Sequence, residues 1–103
     1  MNSVNINPGI CGLTSKIIIE TEDMQVVNIK IESQCPYIMQ MAKEIQEIDG
    51  FVECFAKFQN PRVYNAAQKY CKHVACPVPS GIIKGIEIAC GLALPKTVKI
   101  DFE

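Results

Sequence analysis

The sequence predicts an α+β fold: a single-domain two-layer sandwich over residues 1–103, in which an antiparallel sheet carries helices on one face in the order ββαααβ. Three observations lead to it. Two β-branched runs, "KIIIET" (16–21) and "QVVNIKIES" (25–33), flank the polar "EDM" and read as a hairpin. Between residues 36 and 91, apolar residues recur at helical spacing in three stretches broken by Asp49-Gly50, "NPR" and the prolines Pro77 and Pro79. The chain then returns to strand alternation in "TVKIDFE" (97–103).

Each element follows from its own pattern. In the second strand Val27, Ile29 and Ile31 share one face while Asn28, Lys30 and Glu32 share the other, as in a half-buried strand. The same parity places Ser33 and Cys35 inward at the strand's end. Pro36 is suited to the first position of a helix. The spacing of Ile38, Met41, Ala42, Ile45 and Ile48 carries that helix to residue 48. "FVECFAKF" follows as an aromatic-bearing connection or short helix. A second helix is expected from 62 to 74, with Tyr64, Ala67, Cys71 and Val74 on one stripe. Ser80 can cap a third, which buries Ile83, Ile86 and Cys90 and ends at Gly91. In the last strand Val98, Ile100 and Phe102 alternate with Lys99 and Asp101.

A chain of 103 residues buries roughly two-thirds of its unfolded surface around one core. Its 49% hydrophobic content and mean hydropathy of +0.14 are high for a soluble domain, which points either to an unusually apolar core or to an apolar face covered by a second copy; the second, a homodimer, is the expectation. Ten Lys and Arg balance eleven Asp and Glu for a net charge of −1, and the cations are scattered from Lys16 to Lys99. Phosphate neutralisation needs clustered positive charge, so nucleic acid is not the expected partner. No apolar run reaches the ~20 residues that span a bilayer. "MNSVNINPG" has neither the basic nor the apolar region of a signal peptide, which predicts a cytoplasmic protein.

In that compartment six cysteines point to metal, redox chemistry or burial rather than to disulfides, and an anaerobic host would tolerate them. Cys71 and Cys90 lie on apolar helical stripes and Cys54 lies between Phe51 and Phe55, so all three read as packing. Cys11, Cys35 and Cys76 instead sit at turns. Cys35 and Cys76 each precede a proline and a helix start, where free backbone N–H groups favour a thiolate, and Gly9 and Gly12 let the backbone fold closely around Cys11. His73 reads either as a cap for the negative end of a helix or, with Cys71 and Cys76 in "CKHVAC", as a ligand. Phosphate loops and a serine nucleophile elbow are absent from the sequence, and a Cys76–His73 dyad lacks an orienting partner, so an enzyme is not the expectation.

The stretch "NPGICGLTSKIIIETEDMQVVNIKIESQCPYIMQMAKEI", about residues 7–45, resembles the TSCPD-type small module: proline, glycine, x, cysteine, a β-hairpin, then Cys-Pro opening a helix. The Thr-Ser-Cys-Pro-Asp motif itself is absent, and "HVACPVPSG" supplies its Cys-Pro through Cys76 and Pro77. The segment "KHVACPVPSGIIKGIEIACGLALP" is similar to small uncharacterised proteins of methanogens and other anaerobes. The resemblance implies that Cys11, Cys35 and Cys76 take the places of the module's suspected metal-ligating cysteines. Two functions remain open. One is a metal-binding protein with Cys11, Cys35 and Cys76 as ligands and His73, or less favourably Cys71, as the fourth, holding zinc or, as second choice, an iron–sulfur cluster. The other is a metal-free self-association module with buried structural cysteines.

Overall fold

The computed structural model describes residues 2–58 and 60–103. The expected hairpin forms the centre of a sheet. Its strands, β2 (Ser15–Glu20) and β3 (Val26–Ser33), pair antiparallel with Ile17 opposite Ile31 and Ile19 opposite Ile29. Those four isoleucines and Val27 are buried, whereas Lys16, Asn28, Lys30 and Glu32 on the opposite face are exposed. Between the strands Asp23 Oδ1 accepts hydrogen bonds from the backbone N–H groups of Gln25 and Val26, each 3.0 Å, which closes the turn.

Two strands lie outside the predicted set. β1 (Asn2–Ile6) pairs antiparallel with β2 as one edge, and β4 (Glu47–Asp49) pairs with β3 as the other, so the sheet order is β1-β2-β3-β4. The helix expected to reach residue 48 is shorter: α1 is Pro36–Ala42. Beyond it the chain extends along β3, where Ile29 N–H donates to Gln46 O at 2.8 Å. The open edge of β3 offers backbone partners that a further turn of helix would forgo. Ile45 and Ile48 are buried all the same, so the strand satisfies the apolar pattern that suggested a helix.

The remaining helices are α2 (Gly50–Phe55), α3 (Arg62–Tyr70) and α4 (Val78–Ala89). α2 is turned inside out: Phe51, Val52 and Phe55 are exposed, and Glu53 is 3% exposed. That carboxylate accepts the N–H groups of Arg62 (2.9 Å) and Val63 (2.7 Å), and so supplies α3 with the cap that Pro61 cannot. α3 stops at Cys71, short of the expected residue 74; of the expected stripe Ala67 is buried, Tyr64 and Cys71 are half-buried and Val74 is exposed, and Val63 and Ala66 complete the buried face. α4 begins at Val78, two residues before the predicted Ser80 cap, with Pro79 in its first turn. It ends as expected: Gly91 has φ 73°, its N–H donates to Ile88 O, and Leu92 N–H donates to Glu87 O, the paired bonds of a Schellman motif.

The last predicted strand is absent. Residues 97–103 join no sheet, and Val98, Ile100 and Phe102 are 56%, 71% and 93% exposed. The element order is therefore βββαβααα, not ββαααβ. The tail carries the side-chain alternation of a strand, but alternation alone supplies no neighbour to bond with. The α+β class and the antiparallel sheet stand as expected.

α4 reaches the sheet through two glycines one turn apart. A Cβ at Gly85 would stand 2.6 Å from Ile19 Cδ1 and 2.7 Å from Val4 Cγ2, and one at Gly81 would collide with Ile6 Cδ1. Ile19 is fully buried and Val4 is β-branched, so neither can yield at position 85. A helix-interior glycine without such neighbours would gain about 1 kcal/mol on replacement by alanine. Here overpacking outweighs that gain: Gly85→Ala is expected to lower stability by about 1 kcal/mol, and Gly85→Val by about 3 kcal/mol, in urea unfolding. A stabilised Gly85→Ala variant would show that α4 does not lie this close.

Candidate functional site

One end of the sheet collects most of the cysteines. Ile6 pairs with Ser15 and Ser15 with Ser33, so loop 7–14 and the segment leading to Cys35 leave from the same sheet end. Gly81 of α4 lies against Ile6, which brings the start of that helix, and Cys76 just before it, to this end as well.

On the inner face here the isoleucine ladder gives way to hydroxyls. Ser15 Oγ and Ser33 Oγ share a 2.7 Å hydrogen bond, and Cys35 N–H donates to Ser33 Oγ at 3.1 Å. Cys35 is half-buried at the N-cap of α1, as the strand parity places it. Cys71 is the C-cap of α3, fixed by its N–H to Ala67 O at 2.8 Å. Its Sγ lies 3.9 Å from the sulfur of the fully buried Met41. Cys76 closes a tight turn through its N–H to His73 O at 3.2 Å and is half-buried too. Burial pushes the Cys71 thiol up to about 11, and its neighbours Cys76 and Cys35 add to the rise. Cys71 thus has both Cys35 and Cys76 as neighbours.

Cys71, expected as packing or, less favourably, as the fourth ligand, packs against the core edge and has both turn cysteines as neighbours. A signal for this lay in the sequence, in the five-residue step from Cys71 to Cys76 across a helix break. His73 is exposed on the outside of the same turn, beside Val74, which is fully exposed. It meets Cys76 through its backbone carbonyl rather than its ring. Lys72 sits over the Tyr37 ring at 5.2 Å, which ties this turn to α1.

Cys11 is exposed in loop 7–14, where Gly9 and Gly12 have φ of 91° and 69° and Gly12 N–H donates to Gly9 O at 2.9 Å. The loop is pinned beside Cys35: Gln34 N–H donates to Thr14 O (3.0 Å) and Thr14 N–H donates to Gln34 Oε1 (3.3 Å). Among the described residues, no group of three or more His, Cys, Asp or Glu side chains is already drawn together as a metal-holding set. The cleft at this end, about 490 Å³ and lined by Ile6, Thr14, Lys16, Glu32 and Gln34 among others, contains no cysteine.

The other two cysteines lie elsewhere. Cys90 is buried with its Sγ 3.9 Å from Gln25 O. Cys54 is half-buried, and burial first, then Glu87, Cys90 and Glu53, push its thiol up to about 12.

Fold and site define a small α+β protein with clustered thiols at one end of its sheet. Its family is shown by sequence: the model of a family of unknown function (DUF6951) matches residues 2–102, and the chain belongs to that family. Neither a curated protein nor a solved structure matches it. No helix among the described residues is long and apolar enough to cross a membrane.

The accessibilities order the thiols. With Ellman's reagent at pH 8, the native chain is expected to show one fast-reacting thiol, Cys11, while Cys54, Cys71 and Cys90 react slowly because burial keeps them protonated and shielded. Cys11→Ser should remove the fast phase; its persistence would contradict this ordering.

Proposed function

We propose that this chain is a metal-binding protein whose ligands are Cys35, Cys71, Cys76 and, from the adjoining loop, Cys11. The observation that carries the reading is that Cys71 has as neighbours Cys76, from the same turn, and Cys35, from the start of α1. Three soft sulfur donors, with the Met41 thioether behind Cys71, suit zinc or an iron–sulfur cluster and not magnesium or calcium. Zinc is the first choice. The likeness of residues 7–45 to the TSCPD-type module supports Cys11 and Cys35, and the Cys-Pro of "HVACPVPSG" supports Cys76. Cys71 replaces His73 as the ligand of choice because the imidazole lies on the exposed side of its turn.

Binding would exchange thiol protons for the cation. A thiol that burial and neighbouring sulfurs hold protonated loses its proton outright when it coordinates a metal. The buried Met41 on α1 lies behind the Cys71 sulfur on its core side. The exposed loop 7–14, with two glycines at positive φ, supplies the side that would close.

A second reading, a self-association module, is favoured by a separate observation. Phe51, Val52, Phe55 and Phe58 are exposed around α2, as are Leu94, Val98, Ile100 and Phe102 in the tail. The two readings concern different surfaces and are compatible.

Chain purified without oxygen is expected to carry about one equivalent of zinc or a stoichiometric iron cluster, measured by elemental analysis. Cys35→Ser, Cys71→Ser and Cys76→Ser should each release the metal and lower the melting temperature. His73→Ala should keep it, and Cys90→Ala should keep it at a stability cost of about 1 kcal/mol. Less than about a tenth of an equivalent in the unaltered chain would end the metal reading.

A further inference from the structure

The tail that the fold leaves unpaired has a place to go. In Thr97–Glu103 the extended chain already sorts its side chains: Lys99 Nζ and Asp101 Oδ2 meet at 3.5 Å on one side, which leaves Val98, Ile100 and Phe102 to alternate with them. Those three side chains are largely exposed, although each is a residue type that strands favour. The family model runs to residue 102, so the tail is part of the matched unit and not an appendage.

The outer edge of β1 is its counterpart. β1 ends the sheet, and among the described residues no strand pairs with its far side. Val4 and Ile6 point to the inner face against Gly85 and Gly81 of α4, yet both are only half-buried because nothing lies beyond them. β1 carries no charged side chain, and Lys99 neutralises Asp101 in the tail, so no like charges would oppose each other across the new ladder. The opposite edge, β4, offers only three residues.

We infer that the tail of one copy adds as a fifth strand along β1 of a second copy, and that the exchange is reciprocal, giving a twofold dimer. This inference rests on the self-association reading and names its contact. Val98, Ile100 and Phe102 continue the inner face beyond Val4 and Ile6, and the ladder satisfies backbone groups that both segments leave bare. A second copy is the occupant because, in its own chain, every residue from 91 to 103 stays exposed and none pairs with β1.

The test uses the full chain under reducing conditions. Sedimentation should show a dimer at about 10 μM, and the double variant Val98→Asp, Ile100→Asp should raise the dissociation constant at least about a hundredfold. Both positions are exposed in the single chain, so the variant should keep the far-ultraviolet circular dichroism of the parent. Amide exchange at Ser3–Asn5 should be slow in the dimer and accelerate in the variant, with the central β3 amides unchanged. A dimer that persists in the variant would overturn the strand exchange while leaving self-association standing. A parent chain that is monomeric up to about 100 μM would overturn both. Loss of the dimer with unchanged exchange in β1 would place the tail on another surface and also overturn the inference.

Discussion

The close seating of α4 on β1 and β2 fixes the position of the elements at the cysteine-bearing end of this protein. Gly81 and Gly85 bring the helix axis nearer the sheet than any side chain would permit, and the isoleucines of β2 fill the contact. Because the helix runs from the Ile6 end of β1 towards Met24, its first residue is held over the loop end of the sheet. Cys76 is two residues before that point. A helix lifted outward by ordinary side chains would carry Cys76 away from Cys35, which is anchored to the sheet through Ser33.

The other elements serve the same registration. Glu53 caps α3 through its buried carboxylate, which sets where that helix starts and hence where Cys71 emerges at its end. α1 packs against α3 and β3, with Met41 beneath the Cys71 sulfur. At this end the sheet exchanges its isoleucine pairs for the Ser15–Ser33 hydroxyl pair, so the thiols border a small polar patch rather than more core. Cys54 and Cys90 have no such setting. They lie against core and acidic groups, which favour a neutral thiol.

What was legible in the sequence was the part governed by local pattern. The hairpin, the inward parity of Cys35, the Gly91 stop and the α+β class all follow from periodicity and backbone preference. Alternation in Val4 and Ile6 alone was too short to announce β1. The apolar residues Ile45 and Ile48 fitted a helix and a strand equally, and only the free edge of β3 decides between them. The final segment has the reverse defect: its pattern is a strand's, but pairing is a property of neighbours and not of the segment. Among the candidate ligands, Cys35 and Cys76 come to one place with Cys71, while Cys11 and His73 are exposed. The nearness of Cys71 and Cys76 is written in their five-residue spacing, but their meeting with Cys35 depends on how α1 and α3 pack, which no spacing encodes.

The central claim is that four sulfurs, from Cys11, Cys35, Cys71 and Cys76, hold one metal ion. X-ray absorption at the zinc edge of the zinc-loaded chain reads that claim directly, since zinc–sulfur and zinc–nitrogen distances differ by about 0.2–0.3 Å. The account predicts a shell of four sulfurs at about 2.3 Å, reduced by one sulfur in Cys11→Ser. A shell of nitrogen and oxygen at about 2.0–2.1 Å, or one in which Cys11→Ser changes nothing, would contradict it.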